Sequence, residues 1–485
     1  MAKTALISFL RKNRLEVFLL LAILITSLAL RLYNIDGFLT FLGDEGRDVR
    51  IVRDLLHGNL VFIGPQTSVG NMYLGPLYYY LIAPSLLLAN FNPVGPAIFN
   101  AFLGTLTVGL TWFVGRRWFG SSAGLTAALL FALSPVAIIY SRTSWNPNPM
   151  PLFALLTIWS LYQVRHTQKP QYLLLTATSY AFALQMHYLA LLMAPIIAIY
   201  YLKSYETSKG FIKYSLLSSL LFLFLMFPLV LFDLKHSFLN LRAFLAFFFT
   251  SGSSLSSLNL MDHLLFIKSQ MVRDLVFASQ AFPAFPLAII LEPLIIIFYL
   301  KSKNETRANL NLLLLWILTA VIGLGLYHKP VYIHYFGFIY PAIYLLLGYL
   351  LTHSKFIALP CILLFIYLSL NFSPVRGTPN YLLRRTQTIV DQVISKSGNT
   401  PFNFGLIAKQ NYDESYRYFF ENKGSLLVRG ETGITDQLFV VCEDAPCEPA
   451  NDPAWQIAIF GEKHVVDEWQ VEGVKVFRLL HNQTK

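Results

Sequence analysis

For the first 371 residues, long apolar runs alternate with short polar gaps, and beyond about residue 372 the pattern changes to ordinary polar sequence. A hydrocarbon core of about 30 Å demands roughly 20 apolar residues per helix. Runs of that order lie at 15–33, 95–115, 121–140, 149–164, 171–186, 188–202, 211–232, 282–300, 308–327, 333–352 and 355–371, which predicts roughly eleven transmembrane helices. Residues 75–91 are apolar but carry Pro76, Pro84 and the run Tyr78-Tyr79-Tyr80. Tyrosine favours the headgroup layer, so this segment reads as an interfacial or re-entrant helix. After 372, strand-like runs at 424–429, 437–441, 455–460 and 473–480 predict a small soluble domain of the α/β or α+β class.

Composition fixes the class. The 485 residues are 55% hydrophobic and 13% charged, with mean hydropathy +0.54, outside the range of soluble globular chains. The net charge of +11 could suggest nucleic acid, but Lys and Arg sit mainly in the short gaps, where the positive-inside rule expects them. No nucleic-acid partner is expected. Arg11, Lys12 and Arg14 precede the first run, and no small-residue cleavage site follows it, so it reads as a retained first helix with a cytoplasmic N-terminus. The same rule places Arg116 and Arg117 inside and puts 34–74, 141–148, 233–281 and 372–485 outside the plasma membrane. The expected division is a multi-pass domain at 1–371 and an extracytoplasmic soluble domain at 372–485. A Cys442–Cys447 disulfide agrees with that side of the membrane, and two unpaired thiols are the alternative.

Residues 43–54, Gly-Asp-Glu-Gly-Arg-Asp-Val-Arg-Ile-Val-Arg-Asp, place seven charges in twelve positions directly after the first apolar run. Charges beside a bilayer lose hydration and are scarce unless they bind or react with something there. Val49, Val52, Leu55 and Leu56 recur at helical spacing, which predicts an amphipathic helix on the membrane surface with Asp44 and Glu45 in its first turn. An ordinary interfacial helix with internal Asp/Arg pairs fits the same spacing.

The acidic pair, the segment Gly75-Pro76-Leu77-Tyr78-Tyr79-Tyr80, the turn Gly115-Arg116-Arg117, and Ser134-Pro135 followed by Tyr140-Ser141-Arg142 resemble the membrane glycosyltransferases of the GT-C fold. The likeness is to family 39, of the protein O-mannosyltransferase and aminoarabinose transferase type, and runs over roughly residues 10–350. It implies an inverting glycosyltransferase that moves a sugar from a polyprenyl-phosphate donor to a lipid, glycan or protein acceptor at the outer face. By that resemblance an acid of the first outer loop is the general base, and Asp44 is the candidate. Glu45, pointing elsewhere on a helix, would bind the acceptor or hold a cation. Cations near the leaving phosphate would stabilise its charge, and Arg47, Arg142, Lys329 and His334 are candidates, with Tyr335 beside His334. Relatives often carry an aspartate shortly after the arginine at 142. This chain reads Thr143-Ser144-Trp145-Asn146-Pro147-Asn148 instead, and Asn146 or Asn148 could bind a sugar, or be turn residues, but cannot act as bases.

No cofactor is predicted. His187, His328 and His334 with Glu45 could offer ligands to a divalent metal, yet no close spacing supports such a site. Two other readings remain open from sequence: a lipid or sugar transporter or flippase, and a catalytically silent relative.

Overall fold

The computed structural model describes residues 11–67, 70, 72–205, 209–249, 260–277, 284–327, 330–353 and 358–482. Lys329, His328 and the Ser/Gly-rich stretch at 250–257 lie outside the described residues. The fold is mainly helical, and six described helices are long and apolar enough to cross a membrane: Arg14–Leu32, Val94–Phe119, Lys209–Lys235, Asn304–Gly325, Ile333–His353 and Ala358–Arg376. The chain is a multi-pass membrane protein. Shorter apolar helices at Leu77–Leu88, Ser121–Leu133 and Tyr188–Ser204 accompany these. Helix starts and stops follow the expected runs because the punctuation is strong. Gly120, with φ 97°, separates Val94–Phe119 from Ser121–Leu133, and the Ser134 hydroxyl accepts from the Ala137 N–H just after Ser121–Leu133 ends.

The chain divides into two compact units. The first comprises Met1–Tyr33, Val61–Leu81 and Ala97–Gly377. Small residues let its helices approach closely. Gly348 on the helix Tyr340–His353 faces Ser121–Leu133, and a Cβ at Gly348 would lie 2.6 Å from the Ala123 carbonyl. Trp316, Tyr344, Phe336 and Phe338 are fully buried here.

The second unit comprises Asn34–Leu60, Ile82–Pro96 and Thr378–Lys485. Its sheet has strands β1 (Asn403–Ile407), β2 (Gln437–Cys442), β3 (Lys463–Val471) and β4 (Val474–His481) in the order β1-β2-β4-β3. β1 and β2 are parallel and the other pairs antiparallel. β2 and β4 fall on expected strands, while the other two expected runs need correction. Residues 455–460 start with a short helix, Trp455–Ala458, where the Asp452 carboxylate accepts the Ala454 N–H at 2.8 Å and Gly461, φ 82°, stops the chain turning. Residues 424–429 form only an isolated bridge, Leu427 to Phe402. β1 and β3 lie outside the expected runs: β1 is five residues long with Gly405 at its centre, and β3 carries a register shift between Val465 and Asp467 that breaks its alternation. Cys442 and Cys447 form a disulfide, and Cys361 is free.

Candidate active site

The acidic segment folds as the helix Gly43–Leu56, one residue longer at its start than the spacing predicts. Leu42 is extended, and its N–H donates to Glu45 Oε2 at 3.2 Å, satisfying one of the donors that a helix start leaves open. The next N–H, of Gly43, donates to Asn411 Oδ1 at 2.8 Å. Val49 and Val52 are fully buried in protein, so the expected apolar face exists but is not a free surface for lipid. Much of the contact comes from the helix Glu414–Asn422, where a Cβ on Gly46 would stand 2.3 Å from the Ser415 backbone nitrogen.

Arg47, Arg50 and Arg53 recur every third position and so share one side of this helix. Arg50 pairs with Glu414 at 2.5 Å and Arg53 with Glu421 at 2.6 Å. Arg47 Nη1 donates to Asp44 Oδ1 at 2.9 Å, and its Nη2 to Asp48 Oδ1 at 2.7 Å. The Tyr412 hydroxyl donates to the same Asp44 Oδ1 at 2.8 Å.

The two acids at the helix start therefore stand in different settings. The Asp44 side chain is 42% exposed, and the bonds from Arg47 and Tyr412 both converge on Oδ1. Glu45 is 6% exposed. Its carboxyl is pushed up to about 8, first by burial and further by the charges of Asp44 and Asp48, against the pull of backbone N–H groups at Glu45 and Leu42. A neutral Glu45 is the expected state near neutral pH.

In the other unit, His334 gathers the rings of Trp145 at 4.5 Å, Tyr335 at 4.6 Å, His187 at 5.9 Å and Tyr140 at 6.2 Å between centroids. His187, His334 and Tyr335, all candidates in the sequence, thus meet. His187 Nδ1 accepts the Leu189 N–H at 3.2 Å, so this ring also caps the helical turn that follows it. Asn146 Nδ2 donates to the Met186 carbonyl at 2.7 Å. Asn148 Nδ2 donates to the Thr143 carbonyl at 2.9 Å. Both asparagines hold the 141–148 loop in shape. Arg142 is buried and donates to the Tyr33 carbonyl. Among the described residues, no group of three or more His, Cys, Asp or Glu side chains is arranged to hold a metal ion.

Several partners are not apparent in the sequence reading. Arg31 is fully buried in the first span and donates to Ser27 Oγ at 2.7 Å and to the Ala132 carbonyl at 3.2 Å. A cation inside an apolar run is itself a signal, and a readable one. Tyr412 and Asn411 carry no such signal. A cavity of about 370 Å³ in the first unit is lined by apolar side chains such as Val272, Leu314, Leu318 and Ile343, with the ion pair Lys268 and Glu292 at its wall.

Residues 74–232 match the family model of dolichyl-phosphate-mannose-protein mannosyltransferase. The crystal structure of ArnT from Cupriavidus metallidurans bound to undecaprenyl phosphate superposes with TM-score 0.63 at 12% identity, covering 97% of this chain and 98% of that one. This chain has the GT-C fold. The apo state of ArnT gives TM-score 0.61 at 13% identity over 99% and 98% of the two chains. AglB, the archaeal oligosaccharyltransferase from Archaeoglobus fulgidus, in complex with an inhibitory peptide and a dolichol-phosphate, gives 0.50 at 12% identity over 86% of this chain and 64% of that one. No curated protein sequence matches. At such identities the shared property is the GT-C fold.

Proposed function

We propose that this protein is a membrane glycosyltransferase that moves a sugar from a polyprenyl-phosphate donor to a hydroxyl acceptor, lipid, glycan or protein, at the outer face of the plasma membrane. Asp44 is the general base. In the reaction, Asp44 Oδ2 takes the acceptor O–H proton while that oxygen bonds to the anomeric carbon. The bond from that carbon to the phosphate oxygen breaks with its electron pair, and a single displacement inverts the anomeric centre. The observation that carries this reading is the contrast at the helix start, where one acid is partly exposed and anchored through Oδ1 while its neighbour is buried. Glu45 then keeps a second negative charge away from the base and shapes the helix start. This replaces the expected acceptor-binding role with a structural and electrostatic one.

The GT-C fold and the family match support the donor class. ArnT is bound to undecaprenyl phosphate and AglB to a dolichol-phosphate, and the apolar cavity beside Lys268 would suit an isoprenoid chain. His334 and Tyr335 with His187 are proposed for the sugar-phosphate, together with Lys329. Arg142, buried against Tyr33, would act by holding the 141–148 loop and by its charge. The proposed domain assignment keeps 1–371 as the membrane part and 372–485 as a soluble part outside.

Turnover of radiolabelled polyprenyl-phosphate hexoses and pentoses by purified protein tests the base. Asp44→Asn should lower the rate about 10²- to 10⁴-fold with donor binding retained, and Glu45→Gln should cost much less. A fully active Asp44→Asn would remove the reading's main support.

A further inference from the structure

Asp44 is held by residues that arrive more than 360 positions later in the chain. The Tyr412 hydroxyl donates to Asp44 Oδ1 at 2.8 Å while accepting from Arg47 Nη1 at 3.2 Å, so the three groups close a triangle around one carboxylate oxygen. The Tyr412 ring also lies against Gly43. A Cβ there would stand 2.3 Å from Cδ1 of that ring, so only glycine leaves room for it. Asn411 holds the backbone on either side of this contact, since its Oδ1 accepts both the Gly43 N–H at 2.8 Å and the Tyr412 N–H at 2.9 Å.

Asn411 is in turn fixed by the sheet. Its Nδ2 donates to Glu443 Oε2 at 2.8 Å. Glu443 directly follows β2, and its Oε1 accepts from the Tyr416 hydroxyl at 2.6 Å and from Arg385 Nη2 at 3.0 Å. Every link is a hydrogen bond of ordinary length with at least one charged or backbone partner, which is the combination that fixes a geometry.

We propose that Tyr412 and Asn411 are positioning residues for the base: Tyr412 orients the Asp44 carboxylate and stabilises its ionised form, and Asn411 sets the helix start that carries it. The proposal rests on the reading of Asp44 as the base. A phenol donating to a carboxylate favours its charged state, as the Arg47 guanidinium does, while Glu45 and Asp48 on the same helix oppose it when ionised. Tyr412 remains a donor across the working range. Burial raises its phenol well above the ordinary value, Arg47 works the other way, and Asp44 raises it further.

Two measurements on the full-length protein test this. The first is the pH profile of turnover with the radiolabelled polyprenyl-phosphate sugars. The second needs no activity: labelling of Asp44 by a hydrophobic carbodiimide, which attacks protonated carboxyls, followed across pH by mass spectrometry. Tyr412→Phe removes only the hydroxyl, so the acid limb of the rate profile and the labelling midpoint should both move up by about one pH unit. Gly43→Ala, which displaces the ring, should move both in the same direction. A purely structural role would lower the yield of folded protein and leave both midpoints in place. Coincident midpoints for wild type and Tyr412→Phe overturn the proposal. If Tyr412→Phe does not fold, the same readouts on Gly43→Ala decide it. Should the labelling midpoint move while Asp44→Asn turns over normally, the contact is real but the base reading has failed. Should Asp44→Asn be dead with Tyr412→Phe unshifted, the base stands and Tyr412 does not serve it.

Discussion

The buried Glu45 carboxyl should give folding a pH dependence of its own. Its folded value of about 8 lies above the ordinary 4.5, so the folded protein binds more protons than the unfolded chain between those two values. Its contribution to stability is therefore present below about pH 4.5 and is lost as pH rises towards 8, by something of the order of a few kcal/mol. Glutamine can accept the Leu42 N–H just as the acid does, without the ionisation. Thermal unfolding of Glu45→Gln and wild type should converge near pH 5 and separate in favour of the variant as pH approaches 8. Parallel curves would mean that Glu45 ionises freely in the folded protein. At this scale the sequence is partly legible. The charge density of residues 43–54 is plain in the sequence, but the difference between Asp44 and Glu45 depends on burial, which no local pattern reports.

At the level of elements, the helix Gly43–Leu56 is readable because Val49, Val52 and the first-turn acids follow helical spacing. Its partner is not, because the acids that meet Arg50 and Arg53 are Glu414 and Glu421, far along the chain. At Gly46 the two helices approach closely. Alanine there gains roughly 1 kcal/mol in helix propensity, yet its Cβ would stand 2.3 Å from the Ser415 nitrogen and 2.4 Å from its Cα, and backbone cannot swing aside as a side chain can. Overpacking of this kind costs about 1–3 kcal/mol, so Gly46→Ala should lower the unfolding temperature despite the better propensity. An unchanged or raised value would show that the helices can move apart cheaply. The strands divide by their side-chain pattern: β2 and β4 are rich in Val, Leu and Phe, whereas β1 is short and carries a central glycine and β3 has a register shift.

For the molecule as a whole, hydropathy carries most of the fold. The expected apolar runs coincide with helices throughout the described residues, since the bilayer imposes length and composition on each span separately. Sidedness follows from charge placement and has its own test. Cysteines introduced at the exposed positions Asn59 and Thr400 should react with an impermeant maleimide on intact cells, and one at Lys169 only after permeabilisation. Labelling of Lys169→Cys in sealed cells would reverse the proposed topology. What hydropathy cannot supply is the association of residues 34–60 with 378–485 in one compact unit.

That association has a consequence in time. The bond from Gly43 to Asn411 joins groups 368 positions apart, and at synthesis rates of 5–20 residues per second the first partner waits about 20–70 s for the second. Through that interval Arg47 and Asp44 lack Tyr412, and Arg50 and Arg53 lack Glu414 and Glu421. The membrane helices are all made before the carboxylate is set in register. Assembly of the proposed base is then among the late events in the synthesis of the chain, and a chain stopped at residue 377 would hold the described membrane spans with its acidic helix unanchored.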